Sequence, residues 1–460
     1  MSDTSDATQT PPGAQARAPG LRAGRLDAHQ LRRHFADAHP LLAPQQALVE
    51  AERCLYCHDA PCVTACPTGI DIPSFIARIA QGNLRGAAKV ILTANPLGGM
   101  CARVCPTEVL CEQDCVRHAD DDRPVQIGAL QRVATDALMA QPGAPLFSRA
   151  APTGRRVAVV GAGPAGLACA HGLARMGHDV VVFDARAKAG GLNEYGSAAY
   201  KTADDFAQRE VAWLLSIGGI ELRLQQVLGR DITLDGLRSD FDAVFLGLGL
   251  AGVNALGVPE PAVPGLDAAV NFIADLRQAA DLSQLAVGRD VVVIGGGMTA
   301  IDAAVQCRLL GAQTATIVYR RGPASMPASR DEQDWAQRQG VTIRHWAAPQ
   351  EVLADAGRLV GVRFAHTTLD AQGRLAQAGD GFTLAADMVL RAIGQTFVAD
   401  ATGALRLEAG RIHTDAQCRT SLGDVWAGGD CRAGGRDLTV EAVQDGKVAA
   451  QSIHAALTSR

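Results

Sequence analysis

The sequence predicts an α/β protein: an N-terminal α-helical domain followed by two Rossmann-like nucleotide-binding domains. Three observations predict it. Cysteines crowd into one N-terminal stretch, two glycine-rich loops each follow a short aliphatic run, and those loops lie far apart in one chain. At 460 residues the chain suits about three domains. Hydrophobic residues at 48% and charged ones at 20% can build buried cores, which excludes wholesale disorder. The formal charge of -5 provides no basic field for duplex nucleic acid. The N-terminus lacks a basic-then-apolar leader and no apolar run reaches the length of a membrane span, so a cytoplasmic protein is expected. Residues 1–40, rich in Ala, Pro, Ser, Thr and Arg, read as a mobile tail.

Residues 41–150 read as the helical domain. Eight of the twelve cysteines fall here, as Cys54-x2-Cys57-x4-Cys62-x3-Cys66-Pro67 and Cys101-x3-Cys105-Pro106-x5-Cys111-x3-Cys115. Dense thiols in a reducing compartment are mostly metal ligands. The Cys-Pro steps and tight spacing suit iron–sulfur centres; structural zinc, held by four Cys or Cys/His in paired loops, is the alternative. Between the groups, Phe75, Ile76, Ile79 and Ala80 recur at helical intervals, punctuated by Gly82 and Gly86 and closed by Asn95-Pro96 and Gly98-Gly99. Such a domain depends on its metal for stability.

Residues 151–285 read as the first part of a flavin-binding domain. Arg156–Val160 is a buried-strand run that leads directly into Gly161-x-Gly163-Pro164-Ala165-Gly166 and a helical stretch. A second strand, Val180 to Phe183, ends in Asp184, eighteen residues after the last glycine. The glycines let the backbone approach a pyrophosphate at the helix N-terminus, and the acid accepts from ribose hydroxyls. Residues 286–390 repeat the pattern. Asp290–Ile294 precedes Gly295-Gly296-Gly297-Met298-Thr299-Ala300, where alanine takes the third glycine's place. The following strand, Ala315 to Tyr319, ends in Arg320-Arg321 rather than an acid. Arginine there suits a 2′-phosphate and hence NADPH over NADH; a solvated strand end is the alternative. Residues 391–460 return to the first domain with Gly428-Gly429-Asp430; in two-dinucleotide flavoproteins such a motif brings an acid beside the flavin ribityl and pyrophosphate, whereas alone it would be an ordinary turn. The first loop then holds FAD and the inserted domain NADPH or NADH.

With these residues in view, the chain from about residue 45 onward resembles the N-terminal half of dihydropyrimidine dehydrogenase. It is most similar to the stand-alone electron-input subunit of the split, two-subunit form. The stretches carrying the resemblance are RCLYCHDAPCVTACPTGIDIPSFI, NPLGGMCARVCPTEVLCEQDC, PVQIGALQ, GLNEYG, FLGLGLAGVNALG, AIGQTF and AGGDCRAGGRDLTVEAVQDGK. The glutamate synthase small subunit shares the architecture but differs around the second cysteine group. The resemblance implies two [4Fe-4S] clusters with interleaved ligands: Cys54, Cys57, Cys62 and Cys115 for one, and Cys66, Cys105, Cys111 and Gln131 for the other. It leaves Cys101 as a packing residue and adds Gly191 and Leu192 to the flavin contacts. Met298 stands where relatives often carry Asn or Asp, and residues 193–201 replace a proline- and arginine-containing segment.

The resemblance also implies the chemistry. Hydride from NAD(P)H reaches FAD, and single electrons leave through the clusters, with no side chain acting as nucleophile. A dihydropyrimidine dehydrogenase acts on a CH–CH bond, and its pyrimidine site needs an FMN barrel of ~250 residues, which this sequence does not contain. The expected partner is therefore an FMN- and iron–sulfur-containing barrel subunit, joined in a heterotetramer that interconverts uracil or thymine and their 5,6-dihydro forms. Nucleic acid and membrane are not expected partners. The alternative is an input subunit for another acceptor, as in glutamate synthase.

Overall fold

The computed structural model describes residues 20–140 and 145–459. Helices dominate the first part: α1 (Ala28–His34), α2 (Pro44–Glu52), α3 (Pro61–Ala65), α4 (Ile72–Ala80), α5 (Leu84–Ala94), α6 (Gly98–Val104), α7 (Val116–Asp121) and α8 (Ile127–Met139). The apolar period places Phe75, Ile76 and Ile79 of α4 against Ile91 and Leu92 of α5 and Leu130 of α8 in one core. Gly82, at φ +73°, ends α4, and the Asn83 side chain restarts the helix by accepting from Gly86 N at 2.8 Å.

The next stretch comprises β1 (Arg156–Val160), α9 (Pro164–Arg175), β2 (Asp179–Asp184), α10 (Leu192–Tyr195), α11 (Phe206–Leu215), β3 (Ile220–Leu224), α12 (Leu234–Asp240) and β4 (Ala243–Leu246). It continues through β5 (Gly252–Val253), β6 (Leu266–Ala268), α13 (Ala269–Gln278), β7 (Asp290–Gly295), α14 (Met298–Leu309), β8 (Thr314–Val318), α15 (Arg330–Arg338) and β9 (Thr342–Arg344). The remainder is β10 (Ala347–Asp355), β11 (Arg358–Leu369), β12 (Leu375–Gln377), β13 (Phe382–Ala385), β14 (Met388–Ala392), β15 (Gln395–Thr396), β16 (Leu407–Glu408), β17 (Arg411–Ile412), β18 (Val425–Ala427) and α16 (Thr439–Thr458).

Two five-stranded parallel sheets result, in the orders β18-β4-β1-β2-β3 and β6-β14-β7-β8-β9. Their central strands are aliphatic on both faces because helices cover both sides. An antiparallel sheet of β10 to β13 flanks the second. Chain leaves the first unit through β5 and returns through β15, and these two strands pair antiparallel as a joint. Among the described residues, no helix is long and apolar enough to cross a membrane.

Two boundaries differ from expectation. Residues 20–40 are not a tail: Arg22 bridges Val287, and Leu26 and Leu31 are buried in the core around β7 and α14. Two apolar residues suffice to pin a segment whose composition reads as tail. Residues 1–19 lie outside the described residues. The second unit starts before residue 286, because β6 pairs with β14 at its sheet edge and α13 packs beside it. A three-residue strand carries no readable periodicity, so only its sheet partner reveals it.

Candidate functional site

The first loop is shaped by backbone proximity. Gly161 adopts φ +105°, and a Cβ there would collide with Gly247 O. A Cβ at Gly166 would strike Gly161 O, so this glycine lets α9 lie close on β1. Gly163 precedes the first turn of α9, with Pro164 at its first position, where the missing N–H costs nothing. The unpartnered N–H groups of that turn are an anion site. Gly191, at φ +54°, faces it: a Cβ there would fall 2.6 Å from Gly163 Cα. Gly191 also precedes Leu192 at the start of α10. Across the loop, a Cβ on Gly429 would lie 3.0 Å from the Ala165 Cβ. Three segments far apart in sequence thus form one cradle, narrow enough that side chains are excluded from it.

Its acids are held in place. Asp184 Oδ2 accepts from Ala162 N and Oδ1 from Arg186 N, both at 2.7 Å, which leaves a lone pair on each oxygen for hydroxyl groups. Burial raises its carboxyl while those N–H bonds oppose the rise. Asp430 is pushed up to about 6 by burial and by Asp437, against the pull of Arg411. Sequence reasoning missed Asp445 on α16. Its Oδ2 accepts from Gly429 N at 2.9 Å, and Arg432 forks onto both its oxygens at 2.6 and 2.8 Å. This pair fixes the turn that presents Asp430. The available signal was an acid one helix beyond the Gly-Gly-Asp turn, which has no periodic signature.

The second loop repeats the geometry with one change. Gly295 adopts φ +146° and abuts Ala392 O, and Gly296 abuts the Tyr319 ring. Gly297 has nothing within 4 Å of its Cβ position, an open space at the mouth of α14. Thr299 is half-buried in the first turn, and Ala300 is fully buried where the first loop has Gly166. Arg320 is exposed and Arg321 half-buried just past β8; among the described residues, neither guanidinium has an ion-pair partner.

In the helical domain, Cys54, Cys57, Cys62 and Cys115 line one pocket with Ile72, Ile76 and Ile127. Burial and the neighbouring thiols push Cys62 up to about 12 and raise Cys54. Among the described residues, no three His, Cys, Asp or Glu side chains converge closely enough for a single metal ion. Cys66, Cys105 and Cys111 form a second group: Cys101, burial, Cys111 and Cys66 raise Cys105, and burial, Glu112 and Cys66 raise Cys111. Cys101 is buried and packs with Leu110 and Val440. Gln131 is buried on α8, its Nε2 donating to Gly98 O at 2.6 Å. Cys169, Cys307, Cys418 and Cys431 are buried and apart from both groups. The Cys431 thiol donates to Gly428 O at 3.3 Å, bracing the Gly-Gly-Asp turn.

Comparison with known proteins extends these findings. The "Dihydropyrimidine dehydrogenase domain II, 4Fe-4S cluster" family matches residues 31–142, and the "Pyridine nucleotide-disulphide oxidoreductase" family matches residues 155–446. The NAD-dependent dihydropyrimidine dehydrogenase subunit PreT of Escherichia coli K12 is 34% identical over 90% of this chain and 95% of its own. The glutamate synthase [NADPH] small chain of Escherichia coli K12 is 34% identical over 91% of this chain and 93% of its own. Among solved structures, T. acidophilum thioredoxin reductase aligns with a TM-score of 0.52 at 20% identity, over 66% of this chain and 99% of that one. At that identity the likeness establishes the fold of the two nucleotide units. The chain is an oxidoreductase of the pyridine nucleotide-disulphide oxidoreductase family, in which FAD- and NAD(P)-binding units are joined to an N-terminal 4Fe-4S domain.

Proposed function

We propose that this chain is the electron-input subunit of a two-subunit dihydropyrimidine dehydrogenase. It takes reducing equivalents from NADPH or NADH and passes electrons to an FMN- and iron–sulfur-containing barrel partner that interconverts uracil or thymine and the 5,6-dihydro forms. Cys54, Cys57, Cys62 and Cys115 hold one [4Fe-4S] centre, and Cys66, Cys105, Cys111 and Gln131 the other. Bound flavin supplies the conversion from two-electron to one-electron chemistry; the chain's own residues position the groups and exclude water.

The observation that carries this reading is helix α16. Ala442 in its first turn adjoins Gly429 of the flavin cradle, while Leu438 and Val440 pack on Cys101 and Cys105. Further along, Lys447 Nζ donates to Thr68 O at 3.1 Å, and Thr68 Oγ1 lies 3.4 Å from Cys66 Sγ. One helix therefore touches both the flavin cradle and the second cysteine group. Beside the first cysteine group, Leu55, Tyr56 and Val116 are 50%, 46% and 41% exposed, apolar surface that a docked acceptor would cover.

A second reading, electron delivery to a glutamate synthase-type acceptor, is favoured by the full-length likeness to that small chain. NADPH and NADH oxidation by anaerobically purified protein, with uracil and with or without a co-expressed barrel subunit, separates them. Uracil-dependent turnover only with the partner is expected. Dye reduction without uracil turnover in either case overturns the pyrimidine assignment.

A further inference from the structure

Glu210 is fully buried on α11, in the flavin-binding half of the chain. It is far in sequence from every cysteine of the helical domain, yet it reaches into that domain. Its Oε1 accepts from Gly99 N at 2.7 Å and Met100 N at 3.1 Å, at the first turn of α6. The other end of the same Gly98–Gly99 peptide is the Gly98 carbonyl, which accepts from Gln131 Nε2 at 2.6 Å. A carboxyl, one peptide unit and one side-chain amide therefore form an unbroken chain of donors and acceptors.

Two consequences follow from elementary chemistry. Gly98 O can only accept, so the Gln131 amide must turn its NH2 toward it and its Oε1 away. Hydrogen bonds in series also polarise one another, so drawing on the peptide N–H makes Gly98 O a stronger acceptor and Gln131 Oε1 more electron-rich. The amide shares a face of α8 with Gly128, one turn earlier, which abuts the Ala102 carbonyl, Thr107 and Glu112, residues close in sequence to Cys101, Cys105 and Cys111. The approach is tight, because a Cβ on Gly99 would collide with both Phe206 and Glu210.

We propose that Glu210 is a positioning residue for the iron ligand Gln131, acting through the Gly98–Gly99 peptide to aim Oε1 at the centre held by Cys66, Cys105 and Cys111. This rests on the reading of Gln131 as a ligand. It makes the flavin-binding half a contributor to one cluster's coordination, in the manner of the outer hydrogen bonds that orient metal ligands elsewhere. Arg103 and Asp136 are the other charged groups facing Glu210.

The test uses the full chain, reconstituted anaerobically with iron and sulfide. Low-temperature electron paramagnetic resonance of the reduced protein, redox titration and iron content are measured for Glu210→Leu, Glu210→Gln and Gln131→Leu. Glu210→Leu and Gln131→Leu are expected to alter or abolish the same cluster signal, leaving the other signal and the flavin absorbance intact. Glu210→Gln, whose amide oxygen accepts the same N–H groups, is expected to restore that signal with a shifted midpoint potential. Should Gln131→Leu leave both signals unchanged, Gln131 is not a ligand and the underlying reading fails. Should Gln131→Leu alter a signal that Glu210→Leu leaves untouched, the positioning role itself fails. A Glu210→Leu protein that loses flavin as well points to a folding role only, and persistence of that loss in Glu210→Gln overturns the proposal.

Discussion

Asp430 shows how a single side chain carries opposing demands. Burial and Asp437 raise its carboxyl from the ordinary 3.8 to about 6, so the folded protein holds that proton more tightly than the unfolded chain. Its contribution to stability is therefore fully present below pH 3.8 and is lost as pH rises through about 6. At neutral pH the ionised acid costs the flavin-free protein up to about 3 kcal/mol. Asp430→Asn should raise the stability of flavin-free protein at pH 7, measured by urea denaturation, and flatten its dependence between pH 4 and 7. The same substitution should weaken flavin binding about tenfold, the worth of one charge-assisted hydrogen bond. The acid itself was legible, because Gly-Gly-Asp near the C-terminus follows two upstream loops. Its supports were not: Asp445, Arg432 and the Cys431 thiol act through hydrogen bonds that leave no spacing in the sequence.

At the level of elements, the two nucleotide loops make a natural control for each other. Gly295 and Gly297 stand two residues apart in one turn but for different reasons. The first is confined by φ +146° and by Ala392 O, whereas the second has ordinary backbone and empty space beside it. Gly295→Ala should therefore lower the thermal midpoint, because the backbone cannot hold a side chain there. Gly297→Ala should leave the midpoint unchanged while raising KM for NADPH or NADH about tenfold or more, because its methyl group occupies the space a pyrophosphate needs. Equal thermal loss in both variants would show that the open space is structural. Both loops and the strands before them could be read directly, since aliphatic runs entering glycine clusters have few other uses. The edge strand Leu266–Ala268 could not, because its place depends on pairing with β14, more than a hundred residues later.

Across the whole molecule, the nicotinamide unit is tied to its surroundings by more than the β5–β15 joint. The segment after α10 enters its core: Ala198 and Tyr200 are fully buried there. Lys201 Nζ lies 2.9 Å from Asp302 on α14 and 2.6 Å from Glu332 on α15, while Tyr200 OH donates to Asp302 at 3.1 Å. Lys201→Met should cost about 3–5 kcal/mol in urea denaturation, the penalty for leaving buried Asp302 and half-buried Glu332 without their cation. Restoration of full stability by a further Asp302→Asn and Glu332→Gln change would identify that charge as the cause. Residues 20–40 add a second tie, through Leu26, Leu31 and the ion pair of Asp37 with Arg132 of the helical domain. This long-range bracing explains why domain order was legible while domain edges were not: composition reports local averages, and here single residues from distant segments complete a core. It also bears on protein engineering and on descent by recombination. A cassette cut at the two linking strands would leave behind Leu26, Leu31, Ala198 and Tyr200, so transplanting the nicotinamide unit into another flavoprotein would open holes in its interior. Exchange of coenzyme preference by swapping that unit whole is closed to this architecture unless both outlying segments travel with it.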